Sequence, residues 1–452
     1  MPPVKKVHFM GIGGSGLAGV AQIAKAYGFS VSGCDLAIDT PYIDKVKKAG
    51  ISVFSGHDAS HIADADLVAV SPAIFYQSDN HPETALARKK GILIKWQQFL
   101  GEYLHHGKFL ICIAGTHGKS TTSALAGLVL EAAGLDPTVE VGATVPVWYN
   151  NVRIGKGKYF ISEADEYHDN FASYHPEIII LNNIELDHPE YFGTFEKILE
   201  SYLRFIKNIK PGGTLIFNAN SSGNLELIKL LSGQITDKKL VLVSYNYFDV
   251  KNEMLSPDKT KFEYQGKKYE LKIPGRHNIE NALGIIELAN VLNINFLNLN
   301  SALKLFSGIG RRLELLGGKK GIKIYDDYAN HPTAFMATIQ AVRQLNPDSR
   351  VWAVIEPHTF SRLRAVLPQL PASVRGADHV IFSKIYASRE QDPGDFSGAD
   401  ISAAAKHPDS RYIPEFPAII DYLHSHSHTG DVILVMGSGQ SYKLSRQILE
   451  NI

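Results

Sequence analysis

Residues Phe109–Gly134 read FLICIAGTHGKSTTSALAGLVLEAAG. The first six residues form an apolar strand, Gly115 and Gly118 interrupt it, and a long helix begins near Lys119. Strand, glycine turn and helix in succession are the unit of a parallel sheet covered by helices. The turn also carries chemistry. Unpaired amides and the dipole at a helix N-terminus favour anions, and a lysine placed there opposes the dipole unless an anion is present. Lys119 with the first-turn hydroxyls Ser120, Thr121 and Thr122 is the set that a triphosphate with Mg2+ requires. The usual phosphate loop has a glycine five positions before its Gly-Lys pair. Here that position is Ile113, which shortens the loop without removing a phosphate ligand.

On either side, short apolar runs alternate with helical stretches, so the expected class is α/β with mostly parallel sheets. The first block has strands at KKVHFMG, SVSGCD, ISVFSG, DLVAVS and ILIKW, and ends near LGEYLHHGKF. The second continues through KYFISEAD, EIIILNNI, GTLIFNA and KLVLVSY, then changes character at KFEYQGKKYELKI, a hairpin with Gly266 in its turn. Beyond FSGIGRRLELLGGKKG the alternation resumes with IKIYDDYA, RVWAVIEP, DHVIFSKIYA and DVILVMGSG. Three domains are expected. They are a Rossmann-like domain over 1–106, a central P-loop-type ATPase domain over 107–309, and a C-terminal Rossmann-like domain over 310–452.

Bulk composition removes several function classes. Lys+Arg and Asp+Glu both number 46, so bulk charge gives no reason to expect nucleic-acid binding. Cys34 and Cys112 are the two cysteines, too few for a disulfide framework or a thiolate metal cluster, which suits a reducing compartment. No secretory h-region opens the chain and no apolar run has membrane-spanning length, so a cytoplasmic protein is expected.

A second glycine loop precedes the first helix. MGIGGSG places Gly11, Gly13, Gly14, Ser15 and Gly16 between a strand and a helix, with Asp35 at the end of the next strand. Such a loop lets backbone approach a diphosphate, and the acidic residue reaches a ribose hydroxyl. NAD, FAD or a UDP-sugar would all fit, so an NAD-dependent oxidoreductase stays open at this point. Ser71 and His57 follow neighbouring strands. After the triphosphate loop, EADE carries Glu163, Asp165 and Glu166, and NNIELDH carries Asn182, Asn183, Asp187 and His188. Polar groups at successive parallel-strand ends lie where open α/β sheets bind ligands. Ser120, Glu163 and His188 could hold Mg2+, or Mn2+ given the imidazole. His277 and Asn281 are spaced i, i+4 beside Asn278, as amides that could read an adenine edge or cap the helix. Arg311, Arg312, Arg362 and Arg364 supply anion-binding groups in the last third.

Taken in order, GTHGKST, EADE, NIELDH, GRHNIENA, GRRLE, DDYANHP and EPHTFSR resemble the motifs of the Mur ligases, ATP-dependent amide-bond-forming enzymes of peptidoglycan synthesis. The resemblance covers the whole chain. HFMGIGGSGLAGVA looks most like the branch that joins L-alanine to UDP-N-acetylmuramate. The middle motifs look closer to a sister branch that attaches the tripeptide L-Ala-γ-D-Glu-meso-diaminopimelate, while EPHTFSR resembles the alanine-adding branch. The resemblance implies that Gly11, Gly13, Gly14, Ser15, Gly16, Asp35 and Ser71 hold the UDP-sugar. It gives Gly115, Thr116, Gly118, Lys119, Ser120 and Thr121 to the ATP phosphates, and Ser120, Glu163 and His188 to magnesium. His277, Asn278, Asn281, Arg312 and Asp327 would hold the nucleotide, and Tyr328, His331, His358 and Arg362 would face the amine. Catalytic roles fall on Lys119, Glu163, His188, His358 and Arg362. A monomer or weak homodimer is expected. Two positions depart from the family pattern: Asn330 stands where a first histidine is common, and Leu203 stands near the place of a lysine that is carbamylated in some members, so none is expected here.

Overall fold

The computed structural model describes residues 4–77, 81–231, 239–256, 259–388 and 390–452. The chain divides into two packed units. One is Met1–Ile184 with Glu196–Tyr245 and Gly284–Leu299; the other is Glu185–Phe195, Asn246–Leu283 and Asn300–Ile452.

In the first unit, β1 (Lys6–Met10), β2 (Ser30–Asp35), β3 (Ser52–Ser55), β4 (Leu67–Val70) and β5 (Leu93–Lys95) form a sheet in the order β3-β2-β1-β4-β5. Every pairing is parallel. Strand order reverses beside β1, so the loop that follows it occupies the topological switch point where such sheets bind ligands. The helix Ser15–Ala26 leaves that loop with Leu17 through Ala24 all buried. Its small residues permit close approach: a Cβ on Gly19 would lie 2.7 Å from Val152 Cγ1.

Seven further strands build the unit's second sheet: β6 (Phe109–Ala114), β7 (Thr138–Val145), β8 (Asn150–Arg153), β9 (Tyr159–Glu163), β10 (Ile178–Leu181), β11 (Thr214–Asn218) and β12 (Val241–Tyr245). Their order is β12-β11-β10-β6-β9-β7-β8, parallel except at β7–β8. β6 is central, flanked by β10 and β9, so the chain leaving these three strands emerges on one sheet edge. The sequence reading of the second block did not include β7 and β8. Together with the Ser15–Ala26 helix they form one packed body, through Asn151 Nδ2 donating to Ser15 O (2.7 Å) and Asn150 Nδ2 donating to Gln22 Oε1 (2.8 Å).

The second unit contains an antiparallel sheet of β13 (Lys251–Leu255), β14 (Thr260–Tyr264) and β15 (Lys267–Leu271). β14 and β15 are the hairpin expected around Gly266, whose φ of +72° is the left-handed conformation glycine tolerates. The unit's other sheet is β16 (Glu314–Lys319), β17 (Ile322–Asp327), β18 (Val351–Ile355), β19 (His379–Phe382), β20 (Ser410–Tyr412) and β21 (Val432–Met436), ordered β16-β17-β21-β18-β19-β20 and parallel except at β16–β17. β18, VWAVI, is buried throughout. Val351, Ala353 and Ile355 face one apolar core with Phe335, Leu370 and Phe382, while Trp352 and Val354 face another with Ile419 and Leu423. A strand buried on both faces reads as a continuous apolar run, which is why this one was visible in the sequence.

Candidate active site

The loop after β6 is built by two glycines in the left-handed region, Gly115 at φ +136° and Gly118 at φ +79°. Gly118 is also the N-cap of the helix Lys119–Ala132. A side chain at 115 would meet the backbone of Asn183 at 3.0 Å. Asn182 and Asn183, at the end of β10, hold the loop. Thr116 N donates to Asn183 O (3.0 Å), His117 N to Asn183 Oδ1 (2.8 Å), and Asn182 Nδ2 to Thr122 Oγ1 (3.1 Å).

Lys119 Nζ donates to Gly115 O (2.6 Å) and to Glu166 Oε2 (2.9 Å). Burial alone would lower the lysine's pKa, but Glu166, Asp165 and Glu163 outweigh it and hold the ammonium above its ordinary value. Ser120 Oγ donates to Glu163 Oε1 (2.9 Å), and Gly142 N donates to the other oxygen (2.8 Å). Lys119, Ser120, Glu163 and the amides of 115–118 therefore share one edge, as the sequence implied. Glu166 as the lysine's ion-pair partner was quoted in the sequence but given no role; the repeated carboxylates of EADE were its signal.

The first glycine loop also forms as expected. Gly11 takes φ +89°, and Gly13 N donates to Asp35 Oδ2 (2.8 Å). Added Cβ atoms would fall 2.9 Å from Ser71 Cβ at Gly11 and 2.9 Å from Trp96 Cη2 at Gly16. Gly14 is the N-cap of the Ser15–Ala26 helix and supplies no side-chain cap, so the first-turn amides have no side-chain acceptor from it. Asp35 also accepts from Ala37 N (3.0 Å), so its carboxylate braces the loop as well as standing at the strand end.

In the second unit, Arg362, 3% exposed, donates from Nε to Asp187 Oδ1 (2.7 Å) and from Nη1 to His358 Nδ1 (2.9 Å). His188, at φ +53°, donates its backbone N–H to the same Asp187 oxygen (2.7 Å). Burial would raise the Asp187 carboxyl, but the charges of His188, Arg362 and His331 hold it far below the usual carboxylate range. His188, His331, His358 and Arg362 are thus gathered around Asp187, which the sequence reading quoted in NNIELDH but gave no role. Thr359, between His358 and the helix Phe360–Val366, has φ +58° and ψ 141°, a conformation costly for a β-branched residue.

His277, Asn278 and Asn281 lie in the first turns of the helix Arg276–Val291. His277 is pushed down to about 4 by burial and by the charge of Arg312, and so is a neutral imidazole. Asn278 Nδ2 donates to Pro274 O (2.6 Å), and Asn281 Nδ2 donates to Asn278 Oδ1 (3.3 Å). Asn278 therefore ties the first turn of the helix back to Pro274, and its side-chain oxygen accepts from Asn281 rather than capping a backbone amide. Asp327 accepts from Leu313 N and Ala329 N, both at 2.7 Å. The guanidiniums of Arg311 and Arg312 lie 5.0 and 5.1 Å from the Tyr328 ring centroid. Arg311 is committed to Asp326, Gly437 O and Ser441. Asn330 donates to Ser438 Oγ (3.1 Å).

Known proteins match this chain along nearly its whole length. Residues 6–108 match the model of the Mur ligase family catalytic domain, 113–289 the Mur ligase middle domain, and 311–439 the Mur ligase glutamate ligase domain. The UDP-N-acetylmuramate–L-alanine ligase of Acetivibrio thermocellus is 34% identical, with 99% of this chain and 96% of the relative aligned. That of Clostridium acetobutylicum is 35% identical over 98% and 97%. The UDP-N-acetylmuramate-alanine ligase of Thermotoga maritima shares the fold with a TM-score of 0.80 at 24% identity, covering 98% of both chains. A murein peptide ligase from Psychrobacter arcticus reaches 0.70 at 23%, covering 99% and 98%. With a glycine loop braced by two asparagines, a second glycine loop at a switch point and three domain matches in succession, the chain belongs to the Mur ligase family.

Proposed function

We propose that this chain joins L-alanine to the lactyl carboxylate of UDP-N-acetylmuramate, converting ATP to ADP and phosphate, in peptidoglycan precursor synthesis. The observation that carries the reading is the meeting of Lys119, Ser120, Glu163 and Glu166 at one loop, in a chain 34% identical end to end to a protein named for that reaction. The domains are taken as 1–106 for the UDP-sugar, 107–309 for ATP and 310–452 for the amino acid.

A carboxylate is a poor acyl donor because oxide is a poor leaving group. Transfer of the γ-phosphoryl group to a lactyl oxygen releases ADP and leaves an acyl phosphate. The neutral amine of alanine adds to the acyl carbon, the carbon–oxygen bond to phosphate breaks, and the amine gives up its proton. Lys119 at the helix N-terminus would hold phosphoryl oxygens, with the amides of Gly115, Gly118, Ser120 and Thr121 around them and the Thr116 side chain beside them, its amide being held by Asn183. Ser120 Oγ, already 2.9 Å from a Glu163 oxygen, fits a divalent ion with that carboxylate, and the family resemblance adds His188. Mg2+, or Mn2+, supplies neutralisation of charge on the phosphoryl oxygens. Arg312 and Asp327 with His277, Asn278 and Asn281 are assigned to the nucleotide. Neutral His277 suits an adenine edge better than an imidazolium would. Tyr328, His331, His358 and Arg362 are assigned to the amine and its carboxylate. The first loop, with Asp35 and Ser71, is assigned to the UDP diphosphate and sugar, which takes the place of NAD there. Both nucleotide substrates are cytoplasmic metabolites, so the chain is expected to act in the cytoplasm.

The test is phosphate release with ATP, Mg2+ and UDP-N-acetylmuramate, run with L-alanine, L-serine, glycine and L-Ala-γ-D-Glu-meso-diaminopimelate. Release with L-alanine supports the reading. Release with the tripeptide alone would move the chain to the sister activity named for a Neisseria meningitidis structure that matches over 68% of this chain at 26% identity.

A further inference from the structure

Beneath the first glycine loop lies a group of side chains that the proposed reaction does not use. His8 on β1, Cys34 on β2 and Glu83 on the helix Pro82–Lys90 are each 0% exposed. Glu83 Oε1 is 3.1 Å from His8 Nε2 and 3.4 Å from His61 Nδ1, and its other oxygen is 3.3 Å from His57 Nδ1. Cys34 Sγ lies 3.3 Å from His8 Nε2, 3.3 Å from Glu83 Oε2 and 3.1 Å from His57 Nδ1. One ligand atom from each of His8, Cys34, His61 and Glu83 can be chosen so that all four lie within 4.8 Å of one another.

A carboxylate with no access to water needs a positive charge beside it. Here it has three imidazoles and a thiol, and no lysine or arginine forms an ion pair with it among the described residues. Among the described residues His61 Nδ1 has no hydrogen-bond partner although it faces Glu83 at 3.4 Å, and the buried His57 Nε2 also has none. His8 Nδ1 is 2.9 Å from Ser32 Oγ. With that nitrogen donating to the hydroxyl, Nε2 presents its lone pair to the cluster, the outer hydrogen bond that orients an imidazole on a metal.

We propose that His8, Cys34, His61 and Glu83 form a structural zinc site, with His57 at its margin. Four donors about 2.0–2.3 Å from a tetrahedral ion stand roughly 3.3–3.7 Å from each other. Glu83 Oε1 is 3.1 Å from His8 and 3.4 Å from both His61 and Cys34, Cys34 is 3.3 Å from His8, and the other pairs lie within 4.8 Å, so small movements of His61 and His8 would complete the set. One thiolate, two imidazoles and one carboxylate suit zinc, whereas hard cations take all-oxygen sets. Binding converts the Cys34 thiol to a thiolate on the metal and releases its proton to solvent. The site is closed, with His61 the most exposed ligand at 14%, so it has no open position for a substrate. Its place gives it a mechanical role. Cys34 precedes Asp35, the residue that holds Gly13, and Cys34 O accepts the N–H of Gly11 (2.8 Å), so an ion here braces the UDP loop from below.

The experiment uses the full chain, stripped with chelator, reloaded with Zn2+ or Co2+ without nucleotide, desalted and analysed for metal. The expected result is about one ion per chain. The cobalt form should show thiolate-to-cobalt charge transfer and tetrahedral d–d bands, both lost in Cys34→Ser. Should Cys34→Ser fail to fold, the partly exposed His61→Asn replaces it and should weaken zinc binding by about tenfold or more, with its circular dichroism unchanged. Three results overturn the proposal: no retained zinc, cobalt without a thiolate band, or equal retention by the wild type and His61→Asn. The cluster would then be a hydrogen-bonded ion pair between Glu83 and protonated imidazole.

Discussion

Lys119 and Asp187 are both charged groups taken out of water, but their substitutions should fail in different ways. Lys119 places its ammonium on Gly115 O and Glu166 at the N-terminus of a helix, where the phosphoryl group is assigned, so its loss should be felt first in the chemistry. Lys119→Ala should reduce phosphate release by about a hundredfold or more while UDP-N-acetylmuramate binding, read by calorimetric titration, is unchanged. An active Lys119→Ala enzyme would refute its assigned role. Asp187 instead is the anion that makes a buried arginine tolerable. Asp187→Ala strands Arg362 and should cost about 3–5 kcal/mol of stability, seen as a lower denaturation midpoint. The pH sign follows from the depressed carboxyl. Its contribution is complete above the ordinary value of 3.8 and is lost as pH falls below that toward the folded-state value. The midpoint difference between wild type and variant should therefore shrink below pH 4; a difference that stays constant there would contradict the assigned charge.

At the scale of elements, what could be read was what carries its information locally. β6 and its loop, β1 and its loop, and β18 each state strand, turn and helix within about two dozen contiguous residues. β7 was missed because Glu140 and Gly142 interrupt it, yet its first four residues are all buried. β16 hides behind Gly317 and Gly318, and β20 is only three residues long. The candidate residues followed the same rule. Lys119, Ser120 and Glu163 sit in short motifs, whereas the Lys119–Glu166 and Asp187–Arg362 pairs join positions 47 and 175 apart. The His8, Cys34, His61 and Glu83 group has no short spacing at all: the pairing of β1 with β2 brings His8 and Cys34 together, and His61 in the turn Ala59–Ile62 and Glu83 on the helix Pro82–Lys90 join them only in the fold. Glu140 on β7 also gives a prediction. Burial first, then the charge of Glu163, pushes its carboxyl from 4.5 up to about 8. Below pH 4.5 both folded and unfolded chains are protonated there and nothing is lost. Between 4.5 and 8 the folded chain must keep a proton that the unfolded chain releases, so stability falls, and above 8 the loss is constant. Glu140→Gln removes that penalty. Its melting temperature should gain on the wild type from pH 5 to pH 8, and a pH-independent difference would show that Glu140 is ionised in the folded chain.

At the scale of the whole molecule, two units with separate apolar cores should not melt as one. A chain of this kind departs from two-state unfolding, and a ligand stabilises the unit that binds it. Both glycine loops belong to the first unit, and the Asp187–Arg362 pair belongs to the second. UDP-N-acetylmuramate at a hundred times its dissociation constant adds about 2.7 kcal/mol to the state that binds it. Scanning calorimetry should therefore resolve two overlapping transitions. The UDP-sugar should raise one of them, Glu140→Gln should raise the same one at pH 8, and Asp187→Ala should lower the other. If the sugar and Asp187→Ala instead move a single symmetrical transition in opposite directions, the units unfold as one. The stability of each half of the ligase would then depend on the ligand state of the other.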